Sequence, residues 1–153
     1  KKKRDYLKDI IEEIALDFSV SFIDNNKIDE INILNASQLA MRESIKNLNI
    51  KPEFLLIDGN YFQPYFDENN KIIPYECFIK GDSKFKSISC ASILAKVYHD
   101  NYIEKIIDEN KELVKYDWQN NMCYGTQKHM ESIKKYGISK YHRKTFGICK
   151  DYN

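Results

Sequence analysis

The chain has 153 residues, of which 42% are hydrophobic and 31% charged, so it is long enough for one domain with a buried core and too short for two typical domains. No apolar run approaches the length of a membrane span, and we expect no signal peptide behind the basic N-terminal residues. The 24 Lys and Arg residues nearly balance 23 Asp and Glu residues, which excludes a strong overall attraction to polyanions. Any polyanion site must therefore be a local patch.

The four cysteines lack the close pairs of a zinc site or a disulfide framework. None of the three histidines has the spacing of metal ligands. We therefore expect reduced thiols and a cytoplasmic protein.

Hydrophobic periodicity predicts helices and strands that alternate along much of the chain. Apolar residues at three- and four-residue intervals predict a helix over residues 3–16, and alternation over residues 18–23 predicts a half-buried strand. A second helix is predicted to begin at Asp29 or Asn32 and to stop before Pro52.

The second half of the pattern contains two strands and two further helices. The apolar run 54–58 predicts a strand buried on both faces, and residues 75–79 predict the next strand. A long helix is predicted over residues 87–108 and a shorter one over residues 127–135. This alternation indicates an α/β domain with a helical C-terminal part.

Asp58 ends the apolar run 54–58, at the carboxyl end of a predicted strand, where open α/β sheets place their sites. A carboxylate that has lost solvation there needs hydrogen bonds, a cation or a metal ion. The residues alone leave two interpretations open: a metal ligand, or an acceptor for the amides of the Gly59-Asn60 turn.

Asp100 lies on the predicted long helix, where most carboxylates are simply solvated. Carboxylates from a strand end and a helix can instead bind a divalent cation together, because Mg²⁺ prefers oxygen ligands. Such a site would need further carboxylates.

Two further segments combine positive charge with groups that bind phosphate or bases. Lys80 begins a loop with three lysines around Gly81, and Ser87 follows near a helix N-terminus, an arrangement that can hold a phosphate or form a plain solvated loop. Tyr124, His142 and Arg143 belong to an aromatic and basic segment that suits stacking on bases and binding phosphates, although an aromatic core would look similar.

Six ordered segments resemble the type 2 ribonucleases H (ribonuclease HII), which cut the RNA strand of RNA–DNA hybrids and nick at single ribonucleotides in duplex DNA. The resemblance extends over essentially the whole chain. The segments are IDEINILNA at 28–36, LIDGN at 56–60, KGD at 80–82, SI at 87–88 through ASILAK at 91–96 to Asp100, YGT at 124–126 with His129, and YG at 136–137 with His142-Arg143.

The resemblance implies a ribonuclease H-like mixed sheet flanked by helices, and a site of four carboxylates that binds Mg²⁺ or Mn²⁺. Asp58 resembles the ligand at the end of the family's fourth strand, and Asp100 the ligand on the helix after the fifth. Tyr124 resembles the tyrosine that helps sense a ribonucleotide's 2′-hydroxyl, the group that separates RNA from DNA.

The resemblance also implies where nucleic acid binds and how the protein is assembled. Lys80, Ser87, His142 and Arg143 are expected near the nucleic-acid path. The implied partners are RNA–DNA hybrids and ribonucleotide-containing DNA duplexes, with no membrane, and the implied state is a monomer.

The sequence departs from the family pattern in two places. The family opens with a strand that carries adjacent Asp and Glu residues and then a Gly-Arg-Gly loop, and neither is found in residues 1–153. We therefore interpret residues 1–153 as one ribonuclease H-like catalytic domain, N-terminally incomplete, and predict that this chain is inactive. Met122-Cys123 stands where the family commonly has Lys-Gly, which affects the loop before Tyr124.

The main alternative is a non-catalytic module or decayed copy that binds RNA–DNA hybrids without cleaving them. A generic α/β phosphotransferase is a weaker alternative, because the sequence has no Walker-type phosphate loop.

Overall fold

The structure is a computed structural model that describes residues 1–152. The chain divides into two compact units. Unit 1 comprises residues 1–22 and 37–97, and unit 2 comprises residues 23–36 and 98–153. Of the three boundaries between the units, those after residues 36 and 97 fall inside the two longest helices, and the one after residue 22 falls outside regular structure. The prediction of a single domain stays a prediction.

Five α-helices carry most of the regular structure of the described residues. They are α1 (Lys2–Ile14), α2 (Asn25–Lys46), α3 (Lys86–Glu109), α4 (Trp118–Asn121) and α5 (Gln127–Tyr136). Short 3₁₀ helices lie at Gly81–Ser83, Lys111–Tyr116 and Gly147–Tyr152. The predicted helices over residues 3–16, 87–108 and 127–135 are thus confirmed as α1, α3 and α5, within two residues at each end.

Helix α2 begins at Asn25, earlier than predicted, and is interrupted at Asn32, whose φ of 66° is left-handed. The Asn32 side chain accepts a hydrogen bond from the Asn35 amide at 3.1 Å, as an N-cap residue does. Asn32 therefore starts the second part of the helix, as the sequence indicated, but an additional stretch of helix precedes it.

The sheet of the described chain has two parallel strands, β1 (Leu55–Asp58) and β2 (Tyr75–Phe78), both close to the predicted positions. Leu55 pairs with Tyr75 and Asp58 with Phe78. Leu55 and Ile57 are buried in the core of unit 1, together with Ile45, Phe62 and Ile73. The sheet thereby carries Asp58 at its carboxyl end, where β1 leaves the core.

The predicted strand over residues 18–23 is wrong, because these residues form no strand and no helix. Phe18 and Phe22, predicted to be half buried, are 36% and 50% exposed. A strand exists only where its backbone pairs with a neighbouring strand, and within residues 1–152 the sheet contains only β1 and β2. The segment is held at its start by Asp17, whose Oδ2 accepts from the Asn49 and Ile50 amides at 2.6 and 2.9 Å.

The core of unit 2 is aromatic. Tyr116 and Trp118, each 1–2% exposed, stack with ring centroids 5.6 Å apart. Ile103, Ile106 and Ile107 of α3 pack into the same cluster. The C-terminal part of the described chain is helical and without strands, as predicted.

Among the described residues, every helix is too short or too polar to cross a lipid bilayer.

Candidate functional site

Asp58 lies at the last position of β1, and one of its oxygens is fixed by the backbone. Its Oδ1 accepts from the Gly81 amide at 2.8 Å, while the amide of Gly59 continues the ladder by donating to Phe78 O at 3.0 Å. One of the two interpretations from the sequence was that Asp58 accepts from the amides of the Gly59-Asn60 turn. In the structure Asp58 instead accepts from the Gly81 amide. Because Asp58 is exposed, its oriented carboxylate is open to solvent and fits a metal ligand.

The turn that holds Asp58 leaves little room for a side chain at position 81. A Cβ on Gly81 would lie 2.6 Å from Ile88 Cδ1 and 3.4 Å from Asp58 Oδ1. Lys80, just before the turn, is exposed and has a left-handed φ of 56°. Ser87 is exposed in the first turn of α3. Lys80 and Ser87 therefore both face solvent.

Asp100 lies on α3 within unit 2, and only 7% of the residue is exposed. Its Oδ1 is 3.1 Å from Nδ1 of His99. A carboxylate buried this far needs compensating partners, and His99 supplies one. Asp100 is therefore not a solvated carboxylate on the helix surface.

The family resemblance implies a metal centre, and the described residues fit it only in part. Each of the two predicted ligands is a carboxylate, the donor type that Mg²⁺ and Mn²⁺ prefer. Over residues 1–152, however, no three His, Cys, Asp or Glu side chains are grouped so that they could hold a metal ion. These residues alone therefore do not form a complete centre.

Tyr124 projects from a loop whose backbone is strained. Met122 and Cys123 have φ values of 47° and 65°, a left-handed conformation that favours glycine. The Tyr124 amide donates to Asn121 O at 2.9 Å, and the Tyr124 carbonyl accepts from the Thr126 amide at 2.8 Å. The side chain itself is 61% exposed, so the residue combines a fixed backbone with an accessible ring.

Two buried imidazoles connect this loop to the core of unit 2. His129 and His142 are each 5% exposed, and their Nε2 atoms are 3.1 Å apart. Nδ1 of His129 lies 2.9 Å from the Tyr124 carbonyl, and the Trp118 indole donates to Nε2 of His129 at 3.0 Å. The sequence did not indicate this network, because its members come from separate segments and show no common spacing.

Burial and the nearby His129 lower the pKa of His142 to about 4, so the ring is neutral near pH 7. The Ser139 amide donates to its Nδ1 at 2.9 Å, so both ring nitrogens bond to the protein. Direct contact between His142 and nucleic acid stays a prediction, which its burial does not favour.

Arg143 lies in a more open environment than His142. Its guanidinium carbon is 4.1 Å from the centroid of the Phe146 ring, a cation–π distance. Both residues line a cavity of about 250 Å³ in unit 2, which Cys123, Gly125 and His129 also border. Arg143 therefore places a positive charge near the Tyr124 loop, as a phosphate contact would require.

Asp29 holds the segment that follows Arg143. Its carboxylate accepts from the Lys144 amide at 2.7 Å and from the amide and hydroxyl of Thr145 at 3.0 and 2.6 Å. Burial opposes the charge, but these hydrogen bonds and the Arg143 charge outweigh it and lower the pKa of Asp29. The family-like segment 28–36 thus has a structural role in fixing residues 143–145.

Comparison with known proteins gives a consistent result. The Ribonuclease HII family profile matches residues 1–149. A ribonuclease HII of Christiangramia forsetii is 47% identical over 98% of this chain and 72% of the relative, and one of Phocaeicola vulgatus is 45% identical over 93% of this chain and 67% of the relative.

A solved structure shows the same fold. The crystal structure of the ribonuclease H2 from Pyrococcus horikoshii OT3 has a TM-score of 0.76 and 21% identity, covering 99% of this chain and 75% of that one. This likeness confirms the predicted ribonuclease H-like α/β fold. The family match and the two relatives establish that the chain belongs to the ribonuclease HII family of ribonuclease H-type hydrolases.

Proposed function

We propose that the protein is an endonuclease that cleaves the RNA strand of RNA–DNA hybrids and nicks DNA duplexes 5′ to an embedded ribonucleotide. The observation that carries the proposal is the similarity to ribonuclease HII proteins over nearly the whole chain. A monomer and a cytoplasmic location, in which cysteine thiols stay reduced, complete the proposal.

Asp58 and Asp100 are the proposed metal ligands, for Mg²⁺ or Mn²⁺. What supports Asp58 is its exposed carboxylate at a strand end, with one oxygen oriented by the Gly81 amide. What supports Asp100 is the burial of a carboxylate on α3 beside His99. Asp58 and Asp100 would be among the residues that hold two such cations, whose chemistry there would be activation of the attacking water and stabilisation of the leaving 3′ oxygen.

The chain's own residues orient the ligands and bind the substrate. The Gly81 amide keeps the Asp58 carboxylate in one rotamer, so little conformational entropy is lost when it binds a cation. Tyr124 offers an exposed ring on a fixed backbone, suited to contact with the ribose that carries a 2′-hydroxyl. Arg143 in unit 2, and Lys80 and Ser87 in unit 1, supply groups that bind phosphate oxygens.

A second candidate function has one observation in its favour. Residues 1–152 contain no group of three potential metal ligands, which favours binding of RNA–DNA hybrids without cleavage. We expect this of residues 1–153 alone, since two carboxylates do not neutralise and position two cations; the endonuclease activity is proposed for a protein in which the acidic pair of the family pattern is also present.

The experiment is to incubate the chain with a labelled DNA duplex that contains one ribonucleotide, in Mg²⁺, in Mn²⁺ and in chelator. Binding is measured by fluorescence anisotropy and nicking by gel electrophoresis, with an all-DNA duplex as the control substrate. We expect preferential binding to the ribonucleotide duplex without nicking. Equal binding to both duplexes would contradict the proposed substrate, and metal-dependent nicking would contradict the inactivity of this chain.

A further inference from the structure

We propose that His129 is a positioning residue for Tyr124, acting through a fixed pair of imidazole tautomers that it shares with His142. The proposed benefit, discrimination of a ribonucleotide from a deoxyribonucleotide, rests on the proposed function. The positioning itself can be tested without substrate.

The directions of the hydrogen bonds follow from groups that can only donate. The Ser139 amide donates to Nδ1 of His142, so the proton of that neutral ring is on Nε2. This proton points at Nε2 of His129, 3.1 Å away. The Trp118 indole, another obligatory donor, also points at Nε2 of His129 at 3.0 Å.

His129 therefore accepts two hydrogen bonds at Nε2 and carries its own proton on Nδ1. That proton is donated to the Tyr124 carbonyl, 2.9 Å away. The hydrogen bonds all run in one direction: the Ser139 amide donates to His142, His142 donates to His129, and His129 donates to the Tyr124 carbonyl. Every ring nitrogen thus has a partner of the correct type. A buried network of this kind is rigid because no member can reorient without losing a bond.

The loop before Tyr124 needs such an anchor. Met122 and Cys123 both adopt left-handed φ values, and non-glycine residues keep this conformation only where neighbouring contacts impose it. The Cys123 amide is held by Asn121 Oδ1 at 2.9 Å, which fixes the loop before Tyr124. Beyond Tyr124, the contact from His129 joins the loop to the buried core of unit 2.

His129 acts at a distance from substrate, because only 5% of it is exposed whereas Tyr124 is 61% exposed. Its contact is with the backbone of Tyr124, so the side chain of Tyr124 is left available for the ribose. Loss of the contact should loosen the ring's position without removing any phosphate-binding charge.

Two substitutions of one residue separate the hydrogen bond from the packing. His129→Leu keeps a similar volume but has no donor for the Tyr124 carbonyl. His129→Asn places an amide nitrogen near the position of Nδ1 and restores that donor. Met130→Leu, at the next residue of α5 and 41% exposed, is the control for a change in the helix alone.

The first measurement is hydrogen exchange at individual amides. We expect His129→Leu to speed exchange of the Tyr124 and Thr126 amides by about fivefold to tenfold. The Gly137 amide, which donates to Ile133 O at the other end of α5, should be unchanged. Met130→Leu should behave as wild type, and His129→Asn, which keeps the donor for Tyr124 but loses the acceptor for Trp118 and His142, should speed exchange less than His129→Leu does. Unchanged exchange in the loop, or equal acceleration at Gly137, would overturn the proposal.

The second measurement is the ratio of dissociation constants for the all-DNA and single-ribonucleotide duplexes. We expect His129→Leu to bring this ratio close to one with unchanged affinity for all-DNA duplex, and His129→Asn, which keeps the donor for Tyr124, to give a ratio between those of His129→Leu and wild type. A wild-type chain without any preference would refute the proposed function, whereas the exchange data would still decide the positioning role. A wild-type preference that His129→Leu keeps would overturn the link to specificity.

The wild-type protein provides a test that needs no stable variant. Long-range ¹H–¹⁵N correlation spectra should show the proton of His129 on Nδ1 and that of His142 on Nε2. The opposite tautomer at His129 would overturn the proposal, because Nδ1 could then not donate to Tyr124.

Discussion

The Nε2 atoms of His129 and His142 lie 3.1 Å apart in the core of unit 2, and both rings are 5% exposed. Two imidazolium ions at this distance would repel each other in a medium of low dielectric constant. Burial, and then the nearby His129, lower the pKa of His142 to about 4, so the His142 ring is neutral near pH 7. We therefore expect the stability of the fold to be sensitive to mildly acidic pH.

We predict that stability falls as the pH is lowered from about 6.5 to about 4, because the unfolded chain binds a proton at His142 that the folded chain does not. The expected loss is on the order of 1–3 kcal/mol in the free energy of unfolding. Urea unfolding followed by the fluorescence of Trp118 measures it at each pH.

His142→Gln is the matched variant for this measurement. It should be less stable than wild type at pH 7 but show a shallower pH dependence between pH 6.5 and 4. The lowered pKa values of Asp17, Asp29 and Asp117 affect stability mainly below about pH 5, where these groups start to take up protons in the unfolded chain, so the interval from pH 6.5 to 5 isolates His142. An unchanged pH dependence in His142→Gln would show that His142 is not its source.

A second prediction concerns Asp29, which accepts three hydrogen bonds from Lys144 and Thr145. Asp29→Ala leaves two backbone amides without this acceptor, and we expect it to lower the free energy of unfolding by about 1–3 kcal/mol. Glu30→Ala removes a neighbouring exposed carboxylate paired only with exposed Lys27 and should cost less than about 0.5 kcal/mol. Equal effects of the two variants in thermal unfolding would refute the proposed role.

A third prediction tests the packing beneath Asp58. Gly81→Ala would place a methyl group 2.6 Å from Ile88 Cδ1 and displace that side chain, at an expected cost of about 1–2 kcal/mol. Gly125→Ala is the control, because its added Cβ meets nothing within 4 Å and should change stability by less than about 0.5 kcal/mol. If Gly81→Ala is as stable as wild type, the contact with Ile88 does not constrain the turn.

The elements that the sequence predicted well have a clear local signal. The apolar run 54–58 and the amphipathic stretch 127–135 became β1 and α5 at nearly the expected residues. The side chain of Thr126 caps α5 by accepting from the His129 amide at 3.3 Å, a local contact between residues three apart. Periodicity was enough to predict both elements, although β1 also depends on its long-range partner β2.

The failures have a common physical origin in long-range contacts. Residues 18–23 alternate as a strand would, yet a ladder needs a partner, and within the described chain none pairs with them. The His129 and His142 network likewise depends on an indole from α4 and an amide after α5. Asp58 was predicted as a candidate from its place at a strand end, but its bond to the Gly81 amide joins two segments that no sequence pattern connects.

A fourth prediction is that Asp58 and Asp100 bind divalent metal. A chimera in which a strand with the adjacent Asp and Glu of the family pattern precedes Lys1 supplies the two further carboxylates that the resemblance implies. Isothermal titration calorimetry with Mn²⁺ should detect weaker binding, by about tenfold or more, in Asp58→Asn and in Asp100→Asn. Glu53→Gln, before β1, and Asp108→Asn, on α3, are exposed controls that should bind as the parent chimera does.

The most direct test of the account is nicking of a duplex with one ribonucleotide by the same chimera and its Asp58→Asn variant. We expect the chimera to nick 5′ to the ribonucleotide in Mg²⁺ or Mn²⁺, and Asp58→Asn to lower the rate by at least about 100-fold while the protein stays folded by circular dichroism. Activity that survives Asp58→Asn undiminished would contradict the assignment of Asp58 to the site, and with it the central claim.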